Sequence, residues 1–187
     1  MFDLVQIIYW LALSTWFGGV LFIAVAAPII MRAMQDEKPI LPGVLSVNLE
    51  GQHGQLLGGG VIGRIMEVLF RVELACAAAM LLTIIAQWAL LHPSGPFLLL
   101  PIVRTAVYIG AVGMMVYHWR GLWPRMWKVR QEYIDNADNV DIANAALDQL
   151  DRLQGESATV LFILVTLLLG MIAFSANIRP AIAIPTP

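Results

Sequence analysis

Four stretches of this 187-residue sequence stay apolar long enough to cross a lipid bilayer, and that limits the fold more than any motif does. They run from about residue 4 to 31, 70 to 91, 98 to 119 and 157 to 178. A helix needs about 20 residues to cross a ~30 Å hydrocarbon core, where no water can satisfy an open backbone. Charged residues make up 13% of the chain, against roughly 25% in soluble domains. The expected fold is therefore all-α: one polytopic membrane domain with four transmembrane helices in a bundle. The first stretch carries Asp3 where a signal peptide has basic residues, and it is too long for a signal core, so it is read as a retained span.

Orientation follows from the cations in the connections. The connection 32–63 and its edge hold Arg32, Lys38 and Arg64, and the connection 120–156 holds Arg120, Arg125, Lys128, Arg130 and Arg152. The opposite side has only Arg179, since HPSGPF between the second and third spans is uncharged. Eight cations against one place both long connections in the cytoplasm and both termini outside, with a bacterial cytoplasmic membrane as the expected location. The net charge of −2, without a basic stripe, argues against nucleic acid as a partner. Cys76 is the only cysteine, so there is no intrachain disulfide.

The first connection is rich in Gly and Pro, and its LLGGGVIG stretch lacks the Gly-Lys-Ser/Thr of a phosphate loop. It reads as an irregular segment on the inner membrane surface. The second connection breaks at DNADN, which lacks the glycine and terminal Glu of a calcium loop, and Asn139 or Asp141 is placed to cap the next helix. That helix, 141–156, carries Leu147, Leu150 and Leu153 as a stripe and is free to run straight into the last span. It is a cytoplasmic helical extension with a face for another cytoplasmic segment. A partner protein or a second copy of the chain is expected there or along the spans, with the lipid bilayer as the constant partner.

Ionised groups are expensive in hydrocarbon and are functional candidates by default. Glu67, Arg71, Glu73 and His118 fall near the inner ends of the second and third spans, and Arg104 near the outer end of the third. Folding the two spans about Ser94 puts Glu73 level with residues 115–118 and Arg104 level with residues 83–87. Arg64, Glu67 and Arg71 share one helical face, with Glu67 and Arg71 an i,i+4 pair, whereas Glu73 points away from them. Its expected partner is His118, then Arg120 or Arg32, with Ser157 and Thr159 at the same depth. Around Arg104 the expected polar group comprises Gln6, Gln87, Ser175 and Asn177. Small residues at Ser14/Gly18, Ala75/Ala79 and Ala106/Gly110 are expected to let the spans approach, the second and third above all.

No cofactor and no metal site is expected. His92 and His118 are 26 positions apart, about 39 Å along a helix, too far for one haem, and His53 lies in a connection. No CxxCH, HExxH or Ser-His-Asp pattern is present, and no catalytic residue is assigned.

TWFGGVLFIAVAAPIIM resembles the Trp-x-Gly…Phe…Val-Ala-Pro signature of the transmembrane protein 205-like family, and LWPRMWKVRQ with LDQLDRLQGESATVLFILVTLLLG resembles its later segments. On that resemblance Trp16, Gly18, Gly19, Phe22, Pro28, Pro124, Arg130 and Ser157 carry the family pattern. Gln154 stands where the family often has His. The resemblance implies a four-helix membrane protein and no known reaction. Two functional readings follow. One is a structural or accessory membrane component, not an enzyme, with ion-paired inner helix ends. The other is a small transporter or ligand-binding membrane protein using the Glu67/Arg71/Glu73/His118 level or the Arg104 level.

Overall fold

The computed structural model describes residues 2–36, 53–91, 99–136 and 139–176. Helix α1 spans Phe2–Asp36, α2 His53–Leu91, α3 Leu99–Val116, α4 Trp123–Asp135 and α5 Val140–Ser175. A π-helical turn, Tyr117–Leu122, joins α3 to α4 in one rod. Lys38, His92, Asn177 and Arg179 lie outside the described residues. The all-α expectation holds, and α1, α2, the α3–α4 rod and α5 are each long and apolar enough to cross a membrane. Large apolar side chains such as Phe22, Leu82, Ile109 and Phe162 stand exposed on their outer faces, as lipid contact requires and water would penalise.

Two boundaries differ from the sequence reading. Residues 53–63, expected to be irregular, are the start of the 39-residue helix α2. Glycine costs about 1 kcal/mol against alanine inside a helix, and here close packing offsets it. A Cβ on Gly58 would come 2.9 Å from Met31 Sδ, so glycine lets α2 lie close on α1 at this end without displacing the Met31 thioether. The extension and the last span are one helix of 36 residues. Asn139 caps it, its side chain accepting the Ile142 N–H at 3.4 Å and satisfying one of the open donors of the first turn.

The helices pack with a regular seam. The most deeply buried side chains on α2 are Met66, Phe70, Glu73, Ala77, Met80, Ile84 and Gln87, in three-four alternation, with Cys76 and Thr83 buried beside them. The α3–α4 rod repeats it at Pro101, Arg104, Tyr108, Ala111, Met115, His118 and Leu122, and α1 at Tyr9, Leu13, Trp16, Val20 and Ile23. A 3.5-residue repeat is the signature of side chains interlocking at shallow crossing angles. One core joins α1, α2, α3 and α5, and a second joins α4 to α5 through Val129, Tyr133, Ala146 and Leu150. The leucine stripe is therefore covered within the chain: Leu150 and Leu153 are buried and Leu147 packs against the same core.

The small-residue strips act differently from expectation. α1 packs most closely on α2 and α3 on α5, while α2 and α3 approach each other much less. A Cβ on Gly110 would meet Leu167 of α5 at 3.8 Å, so that strip serves α5. Ser14, Gly18, Ala75 and Ala106 are exposed. It is Gly19 that opens the α1–α2 contact, where a Cβ would come 2.7 Å from Leu69 Cδ1.

Candidate functional site

The seam determines which polar side chains turn inward. Glu73 and Gln87 take seam positions on α2, Arg104 and His118 on the α3–α4 rod, Tyr9 and Trp16 on α1, and Ser175 on α5. All are buried. They lie at three levels along the helices.

At one end the Arg104 guanidinium sits over the Tyr9 ring, its Cζ 5.2 Å from the ring centroid, a cation–π contact that strengthens as water is removed. The Tyr9 hydroxyl lies 2.6 Å from Ser175 Oγ, tying α1 to α5. Beside them Gln87 Nε2 donates to Gln6 Oε1 at 3.0 Å, tying α2 to α1. Neither Arg104 Nε nor Gln87 Oε1 finds a hydrogen-bond partner among the described residues. Of the expected group, Arg104 is linked to Ser175 through Tyr9, which was not among the residues expected there, and Gln6 and Gln87 pair with each other. One turn further in, the Tyr108 hydroxyl donates to the Ala77 carbonyl at 2.7 Å.

Glu73 occupies the middle level, 1% exposed. The expected pairs with His118, Arg120 or Arg32 do not form: Arg32 and Arg120 are exposed, and Arg120 stacks on the Trp119 ring at 5.1 Å. Among the described residues, the side chain turned to the carboxyl is the fully buried Trp16 indole. That contact is loose, because neither Trp16 Nε1 nor Glu73 Oε2 completes a hydrogen bond.

His118 lies at the third level, in the π turn. Its Nε2 is 2.7 Å from Ser157 Oγ on α5, and its ring meets Phe70 edge-on at 5.4 Å. The Phe70–His118 contact agrees with the depth expected from folding the hairpin about Ser94. The partner was misassigned because Phe70, and not Glu73, points across that gap. Glu67 and Arg71 are exposed on the far side of α2 and share no site with Glu73 or His118. The proposed four-residue level therefore divides into a buried carboxyl, a buried histidine and two outward charges.

Below His118 a cavity of about 320 Å³ opens between α1, α2, α4 and α5. It is lined mostly by apolar groups, with Gln154 and Ser157 as the polar side chains. The residues of the family resemblance are scattered. Trp16 meets Glu73, Gly19 meets Leu69, Pro28 and Ser157 line the cavity, and Arg130 lies against Gly60 and over the Trp127 ring at 5.0 Å. Phe22, Gly18 and Pro124 face outward. Among the described residues no group of three or more His, Cys, Asp or Glu is placed to hold a metal ion. Comparison with family models, with curated proteins and with solved structures found no match.

Proposed function

We propose that the chain is a small transporter of a bacterial cytoplasmic membrane, with its four spans bundled, both termini outside and the ends of α4 and α5 in the cytoplasm, and that it passes a proton through its core at Glu73. The observation that carries this reading is Glu73 itself: a 1%-exposed acid on the inward seam, with an open Oε2 and no cation beside it among the described residues. A carboxyl that only held helices together would be paired or replaced by an apolar residue, since an uncompensated buried charge costs several kcal/mol. Polar groups precede and follow it along the same seams: Ser175, Tyr9, Arg104 and Tyr108 towards the outer end, His118 and Ser157 towards the inner. The likeness to transmembrane protein 205-like proteins fits the architecture and names no substrate.

Purified protein in liposomes loaded with a pH-sensitive dye, under an imposed potassium potential, provides the test. The native chain should acidify the lumen faster than the Glu73→Gln variant and empty vesicles. Equal rates for all three would sink the proposal.

A second reading is a structural or accessory component. It is favoured by the interhelical ties, since Tyr9–Ser175, Gln6–Gln87, Tyr108–Ala77 and His118–Ser157 each join two different helices. The covered leucine stripe on α5 weakens the version in which that face docks a partner.

A further inference from the structure

The cavity below His118 is not explained by a proton path. It holds about 320 Å³, and its walls are the apolar side chains of Ile23, Ala27, Ile62, Met66 and Trp123. Pro28 and Ala158, which also line it, are exposed, so the cavity reaches the lateral surface between α1 and α5. On the membrane reading given above, that surface faces acyl chains and not water. The polar groups are gathered at one place. Ser157 Oγ is held by His118 Nε2 at 2.7 Å, and the Gln154 side chain lies one turn away. Pro28 has no N–H to return to the carbonyl of Ala24, which lines the same wall. The Arg130 guanidinium lies against Gly59 and Gly60, and Gly59 is itself part of the lining. On their helices Arg32, Arg64, Arg125, Lys128 and Arg152 are each within three positions of a lining residue, against Glu67, Asp151 and Glu156, while Asp36, Glu132, Asp135 and Asp148 lie further along the same ends.

An apolar recess open to lipid, with hydrogen-bonding groups at its polar end and an excess of cations around it, matches one chemistry. We propose that this cavity is a binding site for an anionic glycerophospholipid of the inner leaflet. One acyl chain fills the recess between α1 and α5. Its ester and phosphate oxygens accept from Gln154 and Arg130, and a headgroup hydroxyl donates to the Ala24 carbonyl. The anionic preference comes from the cations, because polybasic surfaces next to a membrane favour acidic headgroups, and the recess supplies the single-site stoichiometry that a surface patch lacks.

The test uses the full chain, delipidated in detergent and titrated with dioleoyl phosphatidylglycerol or dioleoyl phosphatidylcholine, with bound lipid counted by native mass spectrometry. The expected result is one saturable phosphatidylglycerol per chain, retained over phosphatidylcholine. Ala27→Phe fills the recess and should abolish that saturable binding without lowering the melting temperature of the lipid-free protein. Gln154→Leu, on a half-exposed helix position, carries the test if Ala27→Phe does not fold, and should weaken binding roughly fivefold to tenfold, the loss of about one hydrogen bond. Equal uptake of both lipids, or unchanged phosphatidylglycerol binding in the variants, overturns the proposal. Proton movement in Gln154→Leu vesicles should stay at the native rate, so failure here is separable from failure at Glu73.

Discussion

The Tyr9–Ser175 tie is a place where the packing of α1 on α5 can be weighed. Both side chains are buried, with Tyr9 at 0% and Ser175 at 2% exposure, and their oxygens are 2.6 Å apart. Tyr9→Phe removes one hydroxyl and leaves the ring, so the Arg104 guanidinium keeps its aromatic platform while Ser175 loses its partner. Stranding a buried polar group costs about 1–3 kcal/mol. Ser175 is on a helix and can turn its hydroxyl back to the carbonyl one turn earlier, which puts the expected loss near the lower bound. Ser175→Ala should cost less, since the phenol can rotate toward Arg104. The informative quantity is the coupling. Between membrane helices such hydrogen bonds average about 0.6 kcal/mol and reach about 1.7, and this short, fully buried one belongs in the upper half of that range. Reversible unfolding in mixed micelles with increasing dodecyl sulfate, followed by circular dichroism on the native chain, both single variants and the double, gives it directly. Thr166→Ala, whose hydroxyl bonds only within its own helix, serves as the additive control. If the Tyr9/Ser175 pair is as additive as that control, within about 0.3 kcal/mol, the reasoning about interhelical ties fails.

Three further outcomes are expected. Glu73→Gln should leave unfolding in detergent unchanged or make it harder, because no ion pair is broken; a loss above about 3 kcal/mol, the size seen when a buried pair is split, would mean that a cation reaches the carboxyl after all. Gly58→Ala should be near neutral, helix propensity offsetting a small displacement of the flexible Met31 thioether, whereas Gly58→Leu should cost about 1–3 kcal/mol by pushing α2 off α1, both read from the same unfolding curves. With Cys76 replaced by alanine, a cysteine at Ala176 should react with an impermeant maleimide added to whole cells, and one at the exposed Ala145 only after lysis; the opposite pattern would invert the orientation.

Helix class and the number of helices long enough to span were legible because they depend on hydropathy and on counting 1.5 Å per residue, and both survive without knowledge of packing. Counting along the helices also put Ser175 near Arg104, and Tyr9 joins the two. What failed was azimuth. Counting at 100° per residue turned Glu73 away from Arg64, but depth alone then chose His118 as its partner, whereas the seam brings Phe70 to His118 and Glu73 to Trp16. The heptad spacing of polar and apolar residues alike was present in the sequence, and it would have placed Glu73, Gln87, Arg104 and His118 on inward stripes and left Glu67 and Arg71 outside. The helical start of α2 was hidden for another reason: three consecutive glycines read as a break until Met31 and Arg130 are seen lying against them.

The π turn at Tyr117–Leu122 has a bearing on how this rod tolerates changes in length. Its N–H to C=O bond from Trp123 to His118 closes a wider ring than an α turn, so one residue more than the helix needs is stored there. Deleting a residue in this turn would let it close as ordinary α-helix without interrupting the rod. Because the surplus residue is taken up within the wider turn, the residues after it would keep their facing, and Val129 and Tyr133 would stay against Ala146 and Leu150. The turn is therefore a place where the rod can lose one residue while α3 and α4 both stay packed on α5.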